Sequence, residues 1–203
     1  MSERTDYLAA ASSFAELVGR VPTDAYDGPG LGDWDLRALV GHTSRALVTV
    51  LTYLDQPGDP DEVEVDSPVA YFSTLATTRS DPQAVLERGR AAGAALGADP
   101  AERVAGTVSE VRATLEGFDD DYVLTTIAGP MRLATYLPTR TFELVVHGMD
   151  IARATGRPVE HAQECVAEAV ALAGAVAVRS GKGQDLLLAL TGRAPLPEGF
   201  SVV

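Results

Sequence analysis

The sequence predicts a mainly α-helical protein, a four-helix bundle with a short hairpin, a C-terminal helix and an extended tail. Apolar residues recur with helical period along four long segments, and proline and glycine cluster between these segments. A length of 203 residues with 46% hydrophobic content is enough for one buried core. We therefore expect residues 1–157 to form the bundle and residues 158–203 to form a helical extension packed on it.

The first two long helices are predicted on either side of a loop that contains proline and glycine. Residues 3–20 carry an apolar stripe, and Val21-Pro22 ends that helix. After the loop, Asp33 is expected to N-cap a second helix that runs to about Leu54 and holds Trp34 in its first turn. The predicted inward face of this second helix consists of Leu36, Leu39, Val40, Thr43, Leu47, Val50 and Leu51.

Three further helices and a strand are predicted in the middle of the chain. An acidic segment at 59–68 is expected to be a solvated loop. The helices are predicted at 69–78, 81–97 and 100–117. The β-branched and aromatic run at 122–127, followed by Gly129-Pro130, predicts a short strand or hairpin. The inward residues of the third of these helices are expected to be Val104, Val108, Val111 and Leu115.

The next helix carries the main functional candidates. Pro138 is expected in its first turn, where the missing N–H has no intrahelical partner. Gly156-Arg157-Pro158 predicts its end, since glycine suits the left-handed cap and proline cannot continue a helix. A very apolar helix at 159–179, a short helical piece at 185–190 and an extended tail at 194–203 complete the prediction.

Charge and composition restrict the classes of partner. A formal net charge of −13 argues against duplex nucleic acid and against an anionic membrane surface, because both are bound through clusters of Lys and Arg. No uninterrupted apolar stretch reaches about 18 residues, and the N-terminal pattern lacks the features of a secretory signal. We expect a cytoplasmic protein. Cys165 is the single cysteine, so a metal site would need nitrogen and oxygen ligands.

Three side chains are candidate ligands of one divalent metal ion. Glu143 and His147 are four residues apart, which places them on one face of a helix. His42 on the second predicted helix would supply the third ligand. Three alternatives to a metal site are open. The spacing of Glu143 and His147 can arise by chance, and a histidine can be hydrogen-bonded within the core. Glu143 and Arg140 can also form a structural ion pair.

Two neighbouring residues have candidate catalytic roles, each with a structural alternative. Asp150 shares the face of Glu143 and His147 and would accept a hydrogen bond from the second ring N–H of a ligand histidine, or it is exposed or pairs with Arg153. Arg140 would orient Glu143, bind an anionic substrate or pair with an acid.

Two further features are assigned mainly structural roles. Trp34 is a candidate cofactor-binding residue, with a core position as the stronger expectation. His161 and Cys165 are also four apart, but we expect a helix-surface histidine beside a small buried cysteine.

Two segments resemble the DinB-like bundle superfamily and, more narrowly, the mycothiol-dependent maleylpyruvate isomerase family. LGDWDLRALVGHTSRA is similar to the family's Trp followed eight residues later by a metal-binding His, here Trp34 and His42. YLPTRTFELVVHGMDIARATGRP is similar to its Arg-x-x-Glu-x-x-x-His-x-x-Asp pattern, here Arg140 through Asp150. The resemblance implies a metal site at His42, Glu143 and His147, usually zinc, and mycothiol as the thiol cosubstrate. Imidazole and carboxylate ligands also suit nickel.

These residues lead to a hypothesis about function. Two imidazoles and a carboxylate leave an open position on tetrahedral zinc, which is typical of a catalytic ion. A low-molecular-weight thiol bound there as thiolate would attack an electrophilic substrate, in a transferase or isomerase reaction. The alternatives are a non-catalytic metal- or ligand-binding module, such as a sensor or stress protein, and a metal-free structural bundle. The partners expected are small molecules, and both a monomer and a homodimer are compatible with the sequence.

Overall fold

A computed structural model describes residues 2–77 and 81–203, and within these ranges the chain folds into eight α-helices, a short 3-10 turn and a two-stranded sheet. The mainly α-helical prediction is confirmed. The helices are α1 Glu3–Gly19, α2 Leu36–Leu54, α3 Pro68–Thr77, α4 Pro82–Ala95, α5 Pro100–Leu115, α6 Leu133–Thr155, α7 Gln163–Arg179 and α8 Gly183–Leu190; the strands are β1 Val123–Thr126 and β2 Gly129–Arg132.

Helices α1, α2, α5 and α6 form the four-helix bundle. Each contacts two of the others around the ring, α1 with α6, α6 with α2, α2 with α5 and α5 with α1. The residues between them form one apolar core, because each helix turns a stripe of large side chains inward. Fully buried members of that core include Tyr7, Phe14, Leu39, Leu47 and Tyr136. The predicted inward residues of α5 are all buried.

Helix α4 lies against α2 at very short range. Gly41 and Gly93 face each other at the crossing, and a Cβ atom built on Gly41 would lie 2.1 Å from the backbone N of Gly93. Only glycine at these positions allows the two backbones to approach so closely. This contact fixes where α4 packs on α2, along the face of α2 that contains Gly41.

The C-terminal helices pack on the outside of the bundle. Helix α7 contacts α6, α1 and α3, and α8 contacts α7. The division of the chain into two domains at residue 157 stays a prediction. Across the described ranges, no helix combines the length and the apolar character that crossing a bilayer requires.

The strand predicted near residue 122 is part of an antiparallel hairpin. Val123 pairs with Arg132 and Thr126 with Gly129. Gly129 has a φ of +120°, which a side chain would strain, so glycine suits the first residue of the returning strand. The hairpin leads directly into α6, whose first residue is Leu133. The backbone N–H of Leu133 donates to Tyr122 O at 2.8 Å.

Helix α2 begins later than predicted. Asp35, and not Asp33, is the N-cap, because its side chain accepts a hydrogen bond from Ala38 N at 2.7 Å. Trp34 therefore lies before the helix and not in its first turn. Its backbone N–H donates to Leu31 O in the preceding turn.

Helix α6 begins earlier than predicted and α7 begins later. Since α6 starts at Leu133 at the end of the hairpin, Pro138 is its sixth residue and lies inside the helix, not in its first turn. Helix α7 starts at Gln163 and not at residue 159. The predicted last residue of α3, Thr78, lies outside the described residues.

Candidate metal centre

Helices α2 and α6 bring His42, Glu143 and His147 together. One ligand atom from each residue lies within 4.8 Å of the other two. In the part of the chain that the structure describes, this is the one group of three His, Cys, Asp or Glu side chains close enough to hold a metal ion. The two helices predicted to carry the ligands thus meet where the hypothesis requires.

The α6 side of the site is a chain of hydrogen bonds along one helix face. His147 Nε2 lies 3.2 Å from Glu143 Oε2, and His147 Nδ1 lies 3.1 Å from Asp150 Oδ2. The spacings of four and three residues place these groups on adjacent turns. Asp150 thus makes the contact that would orient a ligand histidine, and no ion pair joins it to Arg153 among the described residues.

The α2 side is formed by His42 and the indole of Trp34. The two rings lie 4.5 Å apart between centroids, and His42 meets the His147 ring edge-on at 5.0 Å. Trp34 Nε1 donates to Leu86 O of α4 at 3.1 Å. Gly89 of α4 makes room for the indole, since a Cβ there would lie 2.5 Å from it. Trp34 is half-buried and packs against the core without being part of it, and its indole lies beside His42.

Arg140 lies beneath the site and forms no ion pair with Glu143 or with another described residue. It is buried, with its guanidinium 5.3 Å from the Tyr71 ring centroid and 5.0 Å from that of Tyr136. Its Nε donates to Thr139 Oγ1 at 3.0 Å. Aromatic faces attract cations, so the two rings stabilise this buried charge. Neither tyrosine was predicted from the sequence; for Tyr136, the spacing of four residues from Arg140 is the available signal.

The electrostatic environment sets the protonation state of each candidate ligand. Burial lowers the pKa of His42 to about 4, and the charge of His147 adds to this. Burial acts to raise the pKa of Glu143, but the hydrogen bond with His147 and the charge of Arg140 outweigh it and the pKa falls to about 2. At neutral pH, His42 is neutral and Glu143 is ionised, the states in which they bind metals.

His147 is the exception, because it keeps a proton in the metal-free protein. Burial acts to lower its pKa, but the hydrogen bonds with Asp150 and Glu143 outweigh burial and raise the pKa to about 9. The imidazolium is therefore held between two carboxylates. A metal ion would take the place of the proton on the Glu143 side, and Asp150 would keep its contact with Nδ1.

The donor set fits a divalent metal ion with an open position. Zinc accepts imidazole nitrogen and carboxylate oxygen at about 2.0–2.2 Å, and the three donor atoms lie within 4.8 Å of one another. His42 Nδ1 is buried and has no hydrogen-bond partner among the described residues, a cost that a ligand would remove. The side chains of Glu143 and His147 remain 24% and 16% exposed, so a further small ligand can reach the site.

His161 and Cys165 form no metal site with a third described residue. His161 precedes α7 and packs against Gly148, so the expectation of a histidine on the helix surface was wrong. Cys165 is buried, as expected, and its Sγ donates to Asp6 O at 3.2 Å.

Metal uptake is expected to release about one proton per protein at pH 7.5. His147 has a pKa of about 9 in the metal-free protein and must lose its proton to bind. Affinity should therefore rise about tenfold per pH unit up to about pH 9. Zinc titration in weakly buffered solution with a pH indicator measures the release.

The Asp150→Asn variant is the control for this measurement. It should release less than one proton at pH 7.5, because it replaces a charged acceptor that raises the pKa of His147 with a neutral amide. Uptake by the wild type without proton release would show that His147 is not a ligand. In the metal-free protein, the stabilisation from the raised pKa is complete below pH 6.5 and is lost as the pH rises through 9.

Comparison with known families finds a match that covers most of the bundle. The model of the family described as mycothiol maleylpyruvate isomerase N-terminal domain matches residues 7–152, more than two thirds of the chain. The matched range contains His42, Glu143, His147 and Asp150. No curated protein and no solved structure matches the chain significantly.

Proposed function

This chain belongs to the mycothiol maleylpyruvate isomerase N-terminal domain family, and we propose that it is a metal-dependent enzyme that uses a low-molecular-weight thiol, mycothiol, as cosubstrate. The reaction is a thiol transfer to an electrophilic small molecule or a thiol-assisted isomerisation. The observation that carries the proposal is the convergence of three donor atoms from two helices within 4.8 Å of one another.

The metal is proposed to be zinc, with nickel as the alternative, held by His42, Glu143 and His147. When bound, such an ion supplies a Lewis-acid position that lowers the pKa of a thiol. The chain then needs no nucleophile of its own, which agrees with the burial of Cys165, its single cysteine.

Three other residues are assigned roles. Two act through the candidate ligands, and the third lines the site. Asp150 contacts the ring of His147 through Nδ1 and would thereby leave Nε2 as the nitrogen available to a metal ion. Together with the hydrogen bond from His147, the charge of Arg140 lowers the pKa of Glu143 and so favours its ionised form. Trp34 offers an indole beside His42, against which the body of the cosubstrate packs. We propose Asp150 and Arg140 as positioning residues and Trp34 as a cosubstrate-binding residue.

The proposal is tested by turnover. Zinc-loaded protein is incubated with mycothiol and, in turn, maleylpyruvate and a panel of electrophiles, while free thiol and products are followed by chromatography. We expect thiol consumption or isomerised product with the zinc-loaded protein and neither with the metal-free protein. The Asp150→Asn variant, reloaded to full zinc content, should turn over more slowly, because a neutral amide holds the ring of His147 less strongly than a carboxylate.

Two results would contradict the proposal in different ways. Stoichiometric zinc with mycothiol binding but no turnover of any electrophile would favour the non-catalytic binding module. Absence of zinc after loading, with a melting temperature that chelators leave unchanged, would favour a metal-free structural bundle. We also propose that the protein is cytoplasmic and that its partners are small molecules.

A further inference from the structure

A second candidate site lies at the corner where α2, α4 and α5 meet. A cavity of about 310 Å³ opens there, the size range of pockets for small molecules. Its walls are largely apolar and include Val48, Leu96 and Val104. Three arginines also border it: Arg45 from α2, which is half-buried, and Arg88 from α4 and Arg103 from α5, which are exposed at its rim.

The charge of this cavity is opposite to that of the protein. The chain has 29 acidic and 16 basic side chains, so a random lining would contain about two acids for each base. The described residues that line the cavity nevertheless include three arginines and no aspartate or glutamate. Like charges that share one cavity repel each other unless an anion compensates them.

The three guanidinium groups are free to bind a ligand. None of them forms a hydrogen bond or an ion pair with another residue in the ranges 2–77 and 81–203. The two hydroxyl groups of the lining are already committed, since Ser44 donates to Val40 O and Thr107 donates to Arg103 O. Guanidinium groups are therefore the side-chain donors that the described lining leaves available.

From these observations we infer that the cavity binds a small organic anion with carboxylate groups and a short apolar body. Guanidinium groups pair with carboxylates through two parallel hydrogen bonds, and three different helices each supply one arginine at this cavity. The apolar walls would cover the body of the ligand. This site is separate from the metal centre and needs no metal, so the inference goes beyond the proposed function.

The position of Arg45 relates the cavity to the metal centre. Arg45 follows His42 by three residues on α2, so the two side chains are neighbours on the helix surface. An anion at Arg45 would lie beside the same helix that carries a candidate metal ligand. Arg103 differs from the other two, because it also borders a depression lined by Asp99, Glu102 and Glu110.

The test is calorimetric titration of the metal-free full chain with phthalate, which has two carboxylates on an apolar ring. We expect saturable binding that weakens as salt increases. Arg45→Gln and Arg88→Gln should each weaken binding about tenfold. Arg103→Gln should have a smaller effect, since Arg103 also borders the acidic depression and acids there would repel the anion. Ala91→Phe, which fills the cavity without a change of charge, should abolish binding.

Arg90→Gln is the matched control. Arg90 is exposed on the same helix as Arg88 and does not line the cavity, so binding should be unchanged. The neutral phthalamide should not bind, and inorganic phosphate should bind more weakly than phthalate. The inference would be overturned by absence of saturable binding, by unchanged binding in Ala91→Phe, by an equal loss in Arg90→Gln, or by phosphate binding as tightly as phthalate. If one variant fails to fold, the others decide the result. Because the titration uses metal-free protein, failure of the thiol chemistry would leave its outcome unaffected.

Discussion

Replacement of His42, Glu143 or His147 by alanine is expected to abolish stoichiometric zinc binding, with a loss of affinity of more than about 100-fold for each variant. Each residue contributes one of three donor atoms that lie within 4.8 Å of one another. Two remaining protein ligands do not hold zinc firmly. Elemental analysis of the loaded and dialysed proteins, with competition against a chromophoric chelator, measures the loss.

Two further variants serve as comparisons for the loss of zinc binding. His161→Ala removes the remaining histidine of the chain, which lies outside the candidate group, and should keep full zinc content. Asp150→Asn leaves the three donors in place and should reduce affinity about 10–100-fold, as loss of a partner that orients a ligand does. Retention of wild-type affinity in any of the three alanine variants would remove that residue from the site.

Gly41→Ala is expected to lower the free energy of unfolding by about 2–4 kcal/mol. The added Cβ would lie 2.1 Å from the backbone N of Gly93, and backbone cannot rotate away as a side chain can. Helices α2 and α4 would have to separate. Because α4 also contacts the Trp34 indole that covers His42, zinc affinity should decrease as well. Urea denaturation of the metal-free protein measures the loss of stability.

Gly106→Ala is the matched control within α5. A Cβ at Gly106 meets no atom within 4 Å, and the position lies inside a helix. The substitution should therefore raise the free energy of unfolding by about 0.5–1 kcal/mol. If Gly41→Ala were as stable as Gly106→Ala, the close approach of α2 and α4 would be wrong.

The helices were predictable from the sequence because their signals are local. The apolar stripe of α2 is an example, since Leu36, Leu39 and Leu47 recur at helical spacing and all three are buried. The errors at helix ends have local causes too. Asp33 and Asp35 are both good N-caps by residue type, and only the turn around Trp34 decides that Asp35 caps α2.

The geometry of the candidate metal centre was also predictable only in part. Glu143, His147 and Asp150 are placed on one face by helical spacing, so their juxtaposition follows from the periodicity of α6 alone. The position of His42 against them depends on how α2 packs on α6, about a hundred residues away in the chain. The predicted helices and the family resemblance both proposed His42 as the third ligand, but neither fixes the distance between the two helices.

The amino-acid order alone therefore specified the helices, the apolar faces and the pair of candidate ligands, Glu143 and His147, on one helix face. The approach of Gly41 to Gly93, the indole over His42, the burial of Arg140 between tyrosine rings and the convergence of three arginines on one cavity arise only in the folded chain. The physical reason is the distance along the chain over which each kind of interaction acts. Helical geometry relates residues within a few positions of each other, whereas distances between helices depend on the summed packing of many side chains in one core.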